Sequence, residues 1–233
     1  MSSILSLALL QLPGIEGPDM TFSEQMNDIW AGGGWMMWPL LACALIGAIV
    51  IVWKLFALTT VSARTSKVLK QVDSLVSEGR LAEAIEIAEA SNTPAGKILA
   101  DGLRRHSEGT ERVAKAIENS GMIAMAKLES GLVVLATVST VAPLLGFLGT
   151  VIGMIQAFQA IELAGEVEAT IVAGGIKVAL ITTASGLAIA IPVSIAHNYF
   201  VAKIDSLVID MEEAAQRTID HLHDQSVRSA AVR

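Results

Sequence analysis

The chain has 233 residues, 53% of them hydrophobic and only 17% charged, a balance too apolar for a soluble domain of this size and typical of a membrane protein. Its formal net charge of −7 argues against nucleic acid as a partner. The single cysteine, Cys43, excludes an intrachain disulfide and, set in an apolar run, reads as a small buried or lipid-facing residue.

Residues 1–34 contain no Lys or Arg but carry Glu16, Asp19, Glu24 and Asp28. Ile4 to Leu12 is apolar, yet it lacks the basic flank and small-residue cleavage site of a secretory signal, so the segment is expected to stay in the mature protein. Thr21 to Trp30 places Phe22, Met26, Ile29 and Trp30 at helical spacing among polar residues, which predicts a short amphipathic helix in the membrane interface. Trp35 to Trp53 is nineteen residues without a charge, with Trp35, Trp38 and Trp53 near its ends. That is the pattern of a spanning helix with aromatic belts, and Pro39 is tolerable in its first turn.

From Lys54 to Ser130 the chain reads as a soluble helical domain with eleven Lys and Arg and ten acids. Lys54, Arg64, Lys67 and Lys70 follow directly on the first span, so the positive-inside rule puts this domain in the cytoplasm and the N-terminus in the periplasm. Val61, Val68, Val72, Leu75 and Val76 form one helical stripe, Leu81, Ala84, Ile85 and Ala88 a second, and Ile98, Leu99 and Leu103 a third. Gly79, Asn92-Thr93-Pro94 and Gly109 separate them. A fourth helix, from near Thr110 with Val113, Ile117 and Met125, is expected to run unbroken into the next span.

Leu132 to Ile161 holds thirty residues without an ionisable group and would be about 45 Å long as a helix, longer than the ~30 Å bilayer core. Pro143, Gly146, Gly149 and Gly153 suit close helix packing in a membrane. The acidic stretch 162–177, with Glu162, Glu166 and Glu168, is expected to be a periplasmic loop. Val178 to Ala196 is the third uncharged run, nineteen residues containing Gly186 and Pro192. Beyond it, Val201, Ile204, Leu207, Val208, Met211, Ala215, Ile219 and Leu222 continue at helical spacing.

The expected class is therefore an all-α membrane protein with three transmembrane helices, two of them extended into a cytoplasmic helical domain, a periplasmic N-terminus and a cytoplasmic C-terminus. Its segments are a periplasmic 1–34, a first span 35–53, a cytoplasmic domain 54–130, a second span 131–161, a periplasmic loop 162–177, a third span 178–197, a cytoplasmic helical extension 198–223 and a polar tail 224–233.

No carboxylate lies within the spans, although a proton or cation path ordinarily needs an ionisable group in the membrane. What remains is hydroxyl chemistry: Thr137, Ser139, Thr140 and Thr150 in the second span and Thr182, Thr183 and Ser185 in the third. Two readings stay open: own-helix bonding to i−4 carbonyls, or a narrow polar lumen that receives an ionisable group from a partner. Pro143 and Pro192 are hinges or static kinks. His221 and His223, two residues apart on a helix, diverge and read as part of a solvated tail rather than a metal site. His197 with Asn198 reads as an interfacial cap. There is no nucleophile–base pair, metal-ligand cluster or phosphate-binding loop, so neither an enzyme nor a cofactor is expected.

The second-span sequence PLLGFLGTVIGMIQAF, the third-span GIKVALITTASGLAIAIP and the leading GGWMMWP resemble the proton-channel family that includes ExbB, TolQ and MotA, over about Gly32 to Ile219. The three-span layout and tryptophan-rich start are most similar to its ExbB branch. The resemblance implies a homopentamer in a bacterial inner membrane around a pore holding a single-span ExbD- or TolR-like partner, whose membrane aspartate takes up the proton, coupled to a TonB- or TolA-like transducer. It implies pore threonines at Thr150, in the GTV motif, and Thr183, before the glycine, with Thr140 and Thr182 as further pore candidates. Pro143, Gly146, Gly149, Gly153, Gly186 and Pro192 are the packing or hinge candidates. The chain departs from the family in having Val178, beside Lys177, where a glutamate is frequent, and Trp53 where an acid often follows the first span. The function implied is an ExbB-type proton-motive subunit energising TonB-dependent outer-membrane transport. A TolQ-type subunit of a Tol–Pal envelope motor and a passive membrane scaffold are the alternatives.

Overall fold

A computed structural model of the chain describes residues 21–231. The apolar Ile4–Leu12 stretch, Glu16 and Asp19 lie outside the described residues. The order is α1 (Phe22–Gly32), a 3-10 turn Gly34–Met36, α2 (Met37–Ser77), α3 (Leu81–Ala90), α4 (Pro94–Arg104), a 3-10 turn His106–Glu108, α5 (Thr110–Glu129), α6 (Leu132–Ala164) and α7 (Ala169–Ala231). There is no strand among the described residues. Three helical stretches, Gly34–Ser77, Glu111–Ala164 and Val172–His221, are long and apolar enough to cross a membrane. The chain is an all-α membrane protein.

The helices differ from the sequence expectation in how far they run. With 41 residues, α2 is about 60 Å long, so the first span continues without a stop from Trp53 to Ser77. With 63 residues, α7 is about 95 Å long and carries helix beyond residue 223 into the segment expected to be a polar tail. The connection between α6 and α7 is only 165–168, because both flanking helices extend into the acidic stretch. Conversely, α5 does not run unbroken into the second span. Ser130 adopts ψ 131° and Gly131 φ +87°, a left-handed conformation that glycine takes without steric cost. Helix α5 ends there and α6 begins afresh.

Two compact units are present. One comprises residues 21–40 with Leu144–Gly186, and the other Leu41–Pro143 with residues 187–231. The second holds two apolar clusters. In the first cluster Leu58 of α2, Leu128 of α5, Leu132, Leu135 and Val138 of α6, and Val193, Phe200 and Ile204 of α7 are buried together. In the other, Val68, Val72, Leu75 and Val76 of α2 meet Ala84, Ala88, Leu99, Leu103 and Val113. The period of three to four residues in the sequence is thus the spacing of a buried face. Thr93 caps α4 by accepting from the Gly96 N–H at 3.1 Å, with Pro94 at the first helical position, where its missing N–H costs nothing.

In the first unit, α1 lies against α7. The Asp28 carboxylate accepts from Lys177 Nζ through both oxygens, at 2.8 and 2.9 Å, across 149 positions of sequence. A Cβ on Gly32 would stand 2.6 Å from Ile181 Cδ1, so the end of α1 approaches α7 as closely as glycine permits. Trp30 meets Trp38 edge to face at 5.4 Å.

Candidate seam and hydroxyl site of the second and third spans

Thr150, Thr182, Thr183 and the candidate glycines Gly146, Gly149, Gly153 and Gly186 gather where α6 and α7 pass each other within the first unit. A Cβ on Gly146 would lie 2.9 Å from the Thr182 carbonyl, one on Gly149 2.2 Å from Thr182 Oγ1, and one on Gly153 2.7 Å from the Gly175 carbonyl. Gly186 and Ala179 face the same glycines. Small residues every three or four positions let two helices without polar cores touch backbone to backbone, the main source of affinity between helices in lipid. Gly175, on the partner helix of this seam, escaped the sequence reading. Its signal was the Gly174-Gly175 pair at the start of the third apolar run.

The hydroxyls divide by partner. Thr137 donates to the Val133 carbonyl and Thr140 to that of Ala136, Ser139 also to Ala136, and Thr150 to Phe147 at 2.6 Å. Thr182 Oγ1 is within 2.9 and 3.0 Å of the Val178 and Ala179 carbonyls, bonds within its own helix. Own-helix bonding therefore accounts for these five. Thr183 differs: its Oγ1 donates to the Gly146 carbonyl on α6 at 3.2 Å. In the helix ladder that same carbonyl takes the Thr150 N–H, so Thr150 and Thr183 are joined through one acceptor.

Burial separates the four pore candidates. Thr182 is 0% exposed, sealed in the seam under Gly149. Thr150 and Thr183 are half-buried, and Thr140 is exposed. An uncharged hydroxyl whose proton is already given to a carbonyl keeps lone pairs free to accept. Such a surface hydrogen-bonds a titrating group but does not titrate.

The flanking candidates lie elsewhere. Pro143 and Pro192 sit inside continuous α6 and α7, half-buried and exposed respectively. His197 Nδ1 is 3.3 Å from Asn198 Oδ1. His221 is not part of a free tail, as expected from its position. It is helical, and its Nε2 stands 3.6 Å from Asp73 Oδ1 on α2. The His223 side chain lies outside the described residues. Lys54, whose spacing suggested only membrane orientation, is 2% exposed and donates to the Leu128 and Ser130 carbonyls at 2.7 and 2.5 Å. Clefts of about 240 to 280 Å³ occur in the second unit, lined for example by Met122, Met125 and Met211 or by Asp73, Glu213 and Arg217; neither touches the threonines.

The model of the MotA/TolQ/ExbB proton channel family matches residues 90–213, which span α4, α5, the seam and the first part of the α7 stalk. A putative biopolymer transport protein ExbB homolog of Methanothermobacter thermautotrophicus is 31% identical over 197 residues, 84% of this chain and 70% of that protein. A putative biopolymer transport protein ExbB-like 1 of Synechocystis sp. is 34% identical over 74% of this chain and 69% of its own length. The biopolymer transport protein ExbB of Pseudomonas putida is 31% identical over 69% of this chain and 53% of its own. With its three span-length helices the chain is a multi-pass protein of the inner membrane. From the matched region, the relatives and the seam they cover, it follows that this chain belongs to the MotA/TolQ/ExbB proton channel family.

Proposed function

We propose that the chain is the channel-forming subunit of an ExbB-type motor that uses the proton gradient to energise outer-membrane transport. In this reading several copies, five by family resemblance, surround a lumen that holds a single-span ExbD-like partner. The partner's membrane carboxylate is the titrating group, and a TonB-like protein receives the work. The observation that carries this is the half-buried Thr183 hydroxyl reaching across to the Gly146 carbonyl, one helical turn from half-buried Thr150 on α6, in spans without any carboxylate of their own. These hydroxyls receive the partner's acid, while the protein shell keeps that acid out of water elsewhere. Thr182 serves packing.

The names of the relatives support biopolymer transport over the envelope-constriction role of a TolQ-type subunit. The test is a coupled one. Thr150→Val and Thr183→Val abolish gradient-driven transport in cells or in liposomes with the partner, while the oligomer still assembles. Full transport by both variants refutes the role. The chain reconstituted alone does no gradient-driven work.

A further inference from the structure

From the first residue to Trp53, and again from Leu128 to Ala202, the sequence contains one Lys or Arg, Lys177. The described acids at this end of the spans are Asp28, Glu162, Glu166 and Glu168, which favour a cation near the surface. Lys177 opposes them. It precedes Thr183 by about 9 Å along the α7 axis, a distance comparable with the ~8 Å screening length at physiological salt, so an unpaired ammonium there would act on a cation moving towards the threonine.

Lys177 is instead held by both oxygens of Asp28. The pair is half-exposed at each end, 49% and 50%, and ion pairs in water hold helices together only weakly. Docking of α1 on α7 has other sources, since Gly32 and Gly33 both stand against Ile181 and the Lys177 stem lies beside Gly32, while Trp30 meets Trp38 at the start of α2. What the pair does change is charge. We propose that Asp28 is a positioning residue for cation uptake: by holding Lys177 it cancels the one lysine or arginine charge among the described residues at the outer ends of the spans. This rests on the cation-driven reading given above and names the residue that sets the field at its mouth.

The test uses the full chain with its single-span partner in liposomes, comparing wild type, Asp28→Asn, Lys177→Met and the double variant at low and high external salt, with Thr183→Val alongside. Asp28→Asn leaves the ammonium unpaired and lowers gradient-driven turnover by between about twofold and about twentyfold, the range for water-like to protein-surface dielectrics at that distance. Adding Lys177→Met restores turnover, Lys177→Met alone leaves the Asp28 carboxylate unpaired and does not lower turnover but raises it where uptake limits the rate, and salt shrinks the Asp28→Asn defect. Equal losses in both single variants and the double variant overturn the inference in favour of a mechanical clasp. Wild-type turnover in Asp28→Asn also overturns it. If Thr183→Val is inactive in either of those cases, only the charge role falls. If Thr183→Val works as wild type, the cation-driven reading itself falls.

Discussion

Thr182 occupies the space in which a Cβ on Gly149 would sit, its Oγ1 only 2.2 Å from that position and its own Cβ 2.5 Å away. Because Thr182 is 0% exposed and its hydroxyl is committed to α7 carbonyls, it has nowhere to move. Gly149→Ala therefore forces α6 and α7 apart. Overpacking of this kind costs about 1 to 3 kcal/mol, and the loss of close contact extends to Gly146 and Gly153. The expected result is a lowered thermal midpoint in detergent and a smaller yield of assembled oligomer. An unchanged midpoint would mean that the seam is looser than its geometry.

Thr150 and Thr183 separate in stability even if both are needed for coupling. Thr183→Val removes an interhelical hydrogen bond to Gly146, a loss of about 0.5 to 1.5 kcal/mol. Thr150→Val removes only a bond to its own helix and leaves the seam intact. Unfolding of the two variants in detergent should rank Thr183→Val as the weaker protein. The reverse order would show that the bond across the seam contributes nothing.

How much of this was legible in the sequence depends on whether the signal was local. The spans follow from runs such as Trp35 to Trp53, since hydropathy reports partition into lipid directly. The seam glycines were visible as small residues at helical spacing, but whether Thr182 or Thr183 faced them was not, because adjacent residues on a helix point about 100° apart and the phase is set by the other helix. The contacts of Asp28 with Lys177 and of His221 with Asp73 join residues far apart in the chain and have no local signature. The break before α6 has no local signature either, because glycine inside a helix and glycine in a left-handed turn look alike until the neighbouring carbonyls find a partner.

That turn yields a third prediction. Gly131 holds φ +87°, and a Cβ there would lie 3.3 Å from Cζ3 of the Trp53 ring. Gly131→Ala meets both a left-handed backbone, at roughly 1 to 2 kcal/mol for a non-glycine residue, and an aromatic wall. The expected outcome is a thermal midpoint below wild type, partly recovered when Trp53 is shortened to Leu. The backbone term survives that second substitution, so full recovery would show that the ring alone excludes a side chain at this position.

Lys54 supplies the partner that the broken helix needs. Its ammonium, 2% exposed, donates to Leu128 and Ser130, two of the carbonyls left without a ladder partner where α5 ends. A cation at a helix C-terminus also meets the negative end of the helix dipole. Lys54→Met keeps the length and the apolar stem but strips both carbonyls of their donor. Hydrogen bonds from charged groups are worth about 1.5 to 3 kcal/mol each, and the relief of no longer burying an ammonium offsets part of that. A net loss of about 2 kcal/mol is expected, and it should appear as local opening at the junction. Limited trypsin digestion reads this directly, since Lys127 lies just before the break. Cleavage after Lys127 should be accelerated in Lys54→Met while the ends of α2 and α7 digest at the wild-type rate. Equal digestion of the two proteins at Lys127 would show that the turn at Ser130 and Gly131 holds without the lysine, and the capping role would fall.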